Sequence, residues 1–134
     1  MRIARFQEFA LQTYRQAPGI VDARPWEDGT NRPFGIEVQL AAGATVRHAI
    51  TRVRVEDEDL NAEEQPVEGE APPPVDDVPE PSGRRDRATA GYLAALLTNS
   101  GNAELAHTYV YDSEHNPGLG AVFHSGAKVH MLLK

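Results

Sequence analysis

The feature that most restricts the fold of this chain is an acidic, proline-rich stretch at residues 56–83. It holds eleven Asp and Glu residues and six prolines, with no Lys, Arg or aromatic residue. A segment with so little apolar area cannot offset the entropy that ordering it would cost. We therefore predict a disordered linker that is extended by its own charge. About 105 residues are left to fold, enough for one domain with a single two-layer core.

A repeated phrase occurs on the two sides of this linker. Residues 40–48, LAAGATVRH, and 123–131, FHSGAKVHM, share Gly, Ala and Val at the same spacing, 83 residues apart. In each, apolar alternation is interrupted by a short glycine-containing loop, which is typical of a β-hairpin. A helical pattern at residues 3–16 recurs at 86–98 with the same offset. The sequence therefore predicts two similar halves.

Each half, 1–55 and 84–134, is predicted to contain a helix followed by three strands. The expected fold is α+β: one antiparallel sheet of about five or six strands with two helices on one face. Within each hairpin we expect the apolar residues to face each other, which places Leu40 opposite Val46 and Phe123 opposite Val129, with three-residue loops. His48 then lies on the apolar face, as a core histidine satisfied by a hydrogen bond.

The charges outside the linker are mildly basic, with thirteen Lys and Arg against nine Asp and Glu. Arg47, Arg52 and Arg54 lie along one predicted strand, and further arginines lie near both helix starts. Such a row can bind phosphates or another anion. The alternatives are that the arginines pair with the carboxylates of the linker, or that they form a solvated surface.

Five other side chains are candidates for a binding site. In the predicted register His124, Lys128 and His130 point away from the core, with the two histidines as diagonal neighbours. Two imidazoles can contribute to a metal site or transfer protons. A metal would need a third ligand, for which the sequence offers only His107 or Glu114 as a guess, and we predict no cofactor. Trp26 and Phe34 flank a loop, where an aromatic residue either anchors a partner or closes the rim of a small core.

The order of helix, three strands, helix and strand resembles the restriction-endonuclease core. That family has a metal-binding Asp on the second strand and Glu/Asp-x-Lys on the third. Here the second strand offers Glu37-x-Gln39, and no acid occurs from Thr45 to Val55, so a magnesium site is not predicted. Element order and acidic charge are similar to those of chaperones that escort secreted effectors and of small phage tail-assembly proteins. That similarity implies a non-enzymatic protein that forms dimers or rings.

The function that these patterns favour is a non-catalytic protein-interaction module, such as an adaptor, assembly factor or chaperone-like protein, that self-associates. One alternative is an anion- or nucleic-acid-binding module whose acidic linker competes for its basic face. A histidine-dependent metal enzyme is the least favoured. No apolar run approaches 18 residues and no secretory signal is evident, so we expect a cytoplasmic protein with no membrane partner. The absence of cysteine excludes disulfides and thiolate chemistry.

Overall fold

A computed structural model describes all 134 residues of the chain. It confirms the predicted α+β class, with two helices, seven strands and two antiparallel sheets. The elements are α1 Ile3–Arg15, β1 Ile20–Pro25, β2 Gly35–Leu40, β3 Thr45–Ala49, β4 Thr51–Val53, α2 Arg87–Thr98, β5 Leu105–Val110, β6 Gly118–Phe123 and β7 Lys128–Leu132. Neither helix has the length and apolar character that a membrane span requires.

The strands form two sheets where we predicted one. Sheet A has the order β1-β2-β3, and sheet B has the order β4-β7-β6-β5. β3 and β4 are consecutive parts of one extended path that changes its partner from β2 to β7 at Ile50. A single β-bridge between His48 and Leu133 and reciprocal backbone hydrogen bonds between Arg47 and Lys134 connect the sheets. We call this connection the seam.

Both halves contribute to one hydrophobic core. α1 packs on β1 and β2, α2 packs on β5 and β6, and the two helices contact each other. Phe6 of α1 meets Phe123 of β6 edge to face, with ring centroids 5.8 Å apart. Leu93 and Leu97 of α2 are completely buried. Each large apolar side chain in this core contributes about 1.5–3 kcal/mol through burial.

The predicted hairpin registers are wrong by two residues. Val46 lies opposite Val38, and Val129 lies opposite Ala121. A slip of two residues leaves every side chain on its original face, so the apolar alternation fits both registers equally well. The faces were therefore predicted from the sequence, and the cross-strand partners were not.

The hairpin loops explain the observed register. In the first hairpin Leu40 N donates to Ala44 O at 2.8 Å, and Gly43, the third loop residue, has φ +103°. This left-handed conformation favours glycine, which fixes the end of the loop at that residue. The second hairpin has the same contacts, made by Phe123, Ala127 and Gly126.

Residues 56–83, which we call the acidic strap, form no helix or strand, but they lie against the protein instead of forming the predicted disordered linker. Glu58 and Glu64 pair with arginines of the folded body. Farther along, Gly69 N donates to Ala103 O at 2.8 Å, and Val75 N donates to the side chain of Asn99. These contacts, together with six prolines that restrict the unfolded chain, reduce the cost of ordering the strap.

Candidate functional site

The face of sheet B that points away from the helices carries aromatic, basic and aliphatic side chains. We call it the outer face of sheet B. No Asp or Glu occurs in any of its four strands. Because strand residues alternate between faces, the buried residues face the helices and their neighbours face outward. The outward side chains are Thr51 and Val53 on β4, His107 and Tyr109 on β5, Tyr111 just after it, Val122 on β6, and Lys128, His130 and Leu132 on β7.

Two tyrosines and a histidine form the centre of this face. The Tyr109 hydroxyl is hydrogen-bonded to His130 Nδ1 at 3.0 Å, and the Tyr109 and Tyr111 ring centroids are 6.1 Å apart. The rings lie over Gly120 and Gly118, where an added Cβ would collide with them. Partial burial against the sheet raises the pKa of both tyrosines. The glycines therefore let the two rings lie close to the backbone as one aromatic surface.

The outward side of sheet A is different, because its charged residues pair with one another. Glu37 accepts hydrogen bonds from Arg47 and Arg24, and chiefly the bond from Arg47 lowers its pKa. The Arg47 guanidinium also lies 5.8 Å from the centre of the Trp26 ring, a cation–π contact. Phe34 is half-buried against the core. Three of the predicted interaction residues are thus engaged within the protein.

Arg52 does not lie on an exposed strand surface, as we had expected from the arginine row. Its side chain is only 9% exposed, donates to Met1 O at 2.9 Å and pairs with both carboxylate oxygens of Glu58. The hydrogen bond from Arg52 lowers the pKa of Glu58 to about 2. Arg54 is exposed and donates to Glu58 O at 3.3 Å. Arg52 therefore pairs with a strap carboxylate, as one of the alternatives from the sequence predicted.

The structure does not bring His124 and His130 together. Because of the shifted register, His130 lies opposite Gly120 instead of Val122, while His124 follows the end of β6. His124 Nε2 is hydrogen-bonded to the main-chain carbonyl of Glu70, at 2.8 Å. No three His, Asp or Glu side chains converge as a metal site would require.

His48 occupies the core position that the sequence predicts. It is completely buried, and its Nε2 is hydrogen-bonded to the Tyr14 hydroxyl at 3.1 Å, while its Nδ1 has no partner. Burial lowers the pKa of His48 to about 4, although the nearby carbonyls of Ala49 and His48 itself oppose the shift. Burial likewise raises the pKa of Tyr14. The pair is neutral near pH 7 and has no solvent access, so it is part of the core.

The tyrosine pair was not predicted from the sequence. The signal was present: His107, Tyr109 and Tyr111 alternate along β5 and just beyond it, and Gly118 and Gly120 alternate along β6. Only the pairing of β5 with β6 shows that the rings lie over the glycines. Together these groups can stack on a planar group, donate hydrogen bonds and cover an apolar surface.

Neither protein-family models, curated proteins nor solved structures match this chain.

Proposed function

We propose that this protein is a non-catalytic protein-interaction module that self-associates through the outer face of sheet B. The observation that carries the proposal is the surface centred on Tyr109, Tyr111 and His130, which lies on the side of sheet B opposite the helices. Tyrosine is enriched in the cores of protein interfaces, and charged carboxylates are depleted there. The four strands of this sheet contain no carboxylate at all.

Edge-to-edge pairing of sheets is the less favoured mode of association. The edge strands are β1 and β3 of sheet A and β4 and β5 of sheet B. β3 meets the C-terminal residues at the seam, and β4 has only three residues. β1 and β5 each contain an irregular step, between Ile20 and Asp22 and between Leu105 and His107. Bulges of this kind twist an edge away from a potential neighbour. Pro25 also removes a donor from β1. The outer face of sheet B is therefore a better candidate surface than any of these edges.

Charge complementarity favours a second copy of this chain as the partner. The strap holds eleven carboxylates, and only those of Glu58 and Glu64 form ion pairs within the protein. The strap passes the tip of the β6–β7 hairpin, where Glu70 contacts His124 beside the outer face of sheet B. Two copies that meet through this face would each bring unpaired carboxylates near Lys128 of the other.

The two halves support a related proposal, that the chain is a structural pseudo-repeat. Both have the element order helix, strand and hairpin, and both hairpins close through the same hydrogen bonds. Both edge strands are irregular at the same place, one or two residues after the strand begins. In a pseudo-repeat of this kind, two similar units already pack together within one chain. Association of two chains would add a second contact between such units.

Size-exclusion chromatography with light scattering tests the self-association. We expect the wild-type protein to form a concentration-dependent dimer and the double variant Tyr109→Ser, Tyr111→Ser to be monomeric. Val21→Ser is the matched control, because Val21 is the most exposed large hydrophobic side chain and lies on sheet A. A wild-type protein that is strictly monomeric at high concentration would overturn the proposal, as would a dimer that the tyrosine variant leaves unchanged.

A further inference from the structure

A second surface, separate from the outer face of sheet B, gathers arginines where α1 begins. Arg2 and Arg5 come from the start of α1, and Arg52 and Arg54 come from β4 and the residue that follows it. We call these four residues the arginine corner. Residues 58–64 of the strap lie on it and leave two clefts of about 250 and 270 Å³ beside the arginines. The strap therefore covers the arginine corner only in part.

The arginine corner contacts the strap as a peptide and not only as a set of charges. Arg2 Nη2 donates to the main-chain carbonyls of Ala62, at 2.5 Å, and Asp59, at 3.4 Å. The Arg2 amide donates to Glu64 Oε1 at 2.9 Å, and the Arg5 guanidinium binds the same carboxylate. Guanidinium groups that bind carboxylates and backbone carbonyls together recognise an extended acidic chain.

The positive charges of the arginine corner favour binding of an anion. Without the strap, the only carboxylate bound there is that of Glu104, which pairs with Arg5. α1 also has no capping side chain and no acidic residue in its first turn, so its positive end adds to the charge of the arginines. Burial opposes ionisation of Glu64, but hydrogen bonds from Arg5 and from the Arg2 amide outweigh it and lower its pKa.

The contacts made by the strap are of a kind that a competitor can replace. The pair of Arg5 and Glu64 is partly open to water, with side-chain exposures of 42% and 21%. Exposed pairs of this kind contribute about 0–1 kcal/mol each. Leu60, between the two paired glutamates, is 48% exposed and lines one of the two clefts, so it is only partly covered. The pair of Arg52 and Glu58 is less open, with side-chain exposures of 9% and 18%. The tether adds to these contacts by holding the strap at an effective concentration of about a millimolar.

From these observations we infer that the arginine corner is a binding site for acidic peptides, and that residues 58–64 of the strap are its intramolecular occupant. A partner that presents two carboxylates on an extended chain displaces the strap and takes over its contacts. This inference does not depend on the proposed self-association, because it uses different residues on a different part of the surface.

A peptide-binding experiment tests this inference. The probe is a fluorescein-labelled peptide with the sequence of residues 56–70, and fluorescence anisotropy measures its affinity for the full-length protein. In the double variant Glu58→Gln, Glu64→Gln the strap loses both ion pairs, and we expect the peptide to bind about tenfold more tightly than to wild type. Adding Arg2→Gln to this variant should abolish the gain. If the double variant does not fold, Glu64→Gln alone should give a gain of about threefold.

The matched control is the double variant Glu68→Gln, Glu70→Gln, which changes the charge of the strap equally but removes no ion pair. We expect its peptide affinity to equal that of wild type. Equal affinity of all these proteins for the peptide would overturn the inference. So would tighter binding of a single-stranded oligonucleotide of the same net charge, since that result would assign the arginine corner to nucleic acid.

Discussion

The two helices begin in different ways, although each opens the same series of helix, strand and hairpin. Asp86 precedes α2 and accepts a hydrogen bond from Thr89 N at 3.0 Å, which is a local cap. α1 begins after Arg2, which offers no capping side chain, and the Arg2 amide is bound by Glu64, 62 residues away. The start of α2 is thus specified by adjacent sequence, and that of α1 depends on the strap.

The cores of the two halves also differ. In half 1, residues 1–55, Tyr14 of α1 meets His48 of β3. The residues 83 positions later, Leu97 and Met131, are buried and apolar. One half therefore carries a polar, titratable pair where the other carries two hydrophobic side chains. The comparison indicates that these two positions require large, buried side chains, which can be either polar or apolar.

The largest expected effect tests whether the two halves share one core. Phe123→Ala should destabilise the protein by about 3–5 kcal/mol, and Leu40→Ala, at the matching end of the first hairpin, by about 2–5 kcal/mol. Both side chains are buried, so each variant leaves a cavity. Urea unfolding followed by circular dichroism and by Trp26 fluorescence should give one coincident transition. If Leu40→Ala shifted only the Trp26 signal, the halves would be independent units.

The pH dependence of stability tests the difference between the pair of Tyr14 and His48 and the apolar pair of Leu97 and Met131. The pKa of folded His48 is about 4, below its usual value of 6.5, so only the unfolded chain takes up a proton between these values. The contribution of neutral His48 to the free energy of unfolding is therefore complete above pH 6.5 and is lost as the pH falls to about 4. The loss is about 2 kcal/mol at pH 5 and about 3 kcal/mol in total. The double variant Tyr14→Phe, His48→Met should lose this dependence between pH 7 and 5.

Tyr14→Phe alone is the control, since it keeps the imidazole and should keep the pH dependence. Urea unfolding at pH 7, 6 and 5 measures all three proteins. The double substitution leaves no unpaired hydroxyl, so its stability at pH 7 should be close to that of wild type. An equal loss of stability at pH 5 in the wild type and the double variant would contradict the buried, neutral state of His48.

The smallest expected effect separates the local cap from the distant one. Asp86→Ala should cost about 1 kcal/mol, as is usual for a helix cap, and Glu64→Ala about 0.5–1 kcal/mol. Hydrogen exchange distinguishes them, because only Glu64→Ala should also speed exchange at strap residues 58–64. Faster exchange of the strap in Asp86→Ala would show that the two helix starts are coupled.

Much of the fold follows from local patterns in the sequence. Apolar alternation at Ile36, Val38 and Leu40 predicts which side of β2 is buried, and the glycines predict the hairpin turns. His48 was placed in the core by the same alternation. The register was missed because a two-residue slip does not change the faces.

The strap and the tyrosine pair depend on contacts between distant residues. Composition predicts that residues 56–83 form no regular element, but it carries no information about which arginines their carboxylates meet. Pairing with linker carboxylates was one alternative for Arg52, but the sequence does not show which of the nearby acidic residues is its partner, and the fold selects Glu58. Tyr109 and Gly120 meet only when β5 and β6 pair. Such features follow from the assembled fold and not from local propensity.

The position of β7 in the strand order of sheet B affects folding during synthesis. β7 lies between β4 and β6, and it pairs Thr51 with His130. In an incomplete chain, the edges of β4 and β6 that face β7 therefore stay unpaired until residues 128–132 have been synthesised. When β7 inserts between them, it pairs with both strands and covers two edges that could otherwise join another chain.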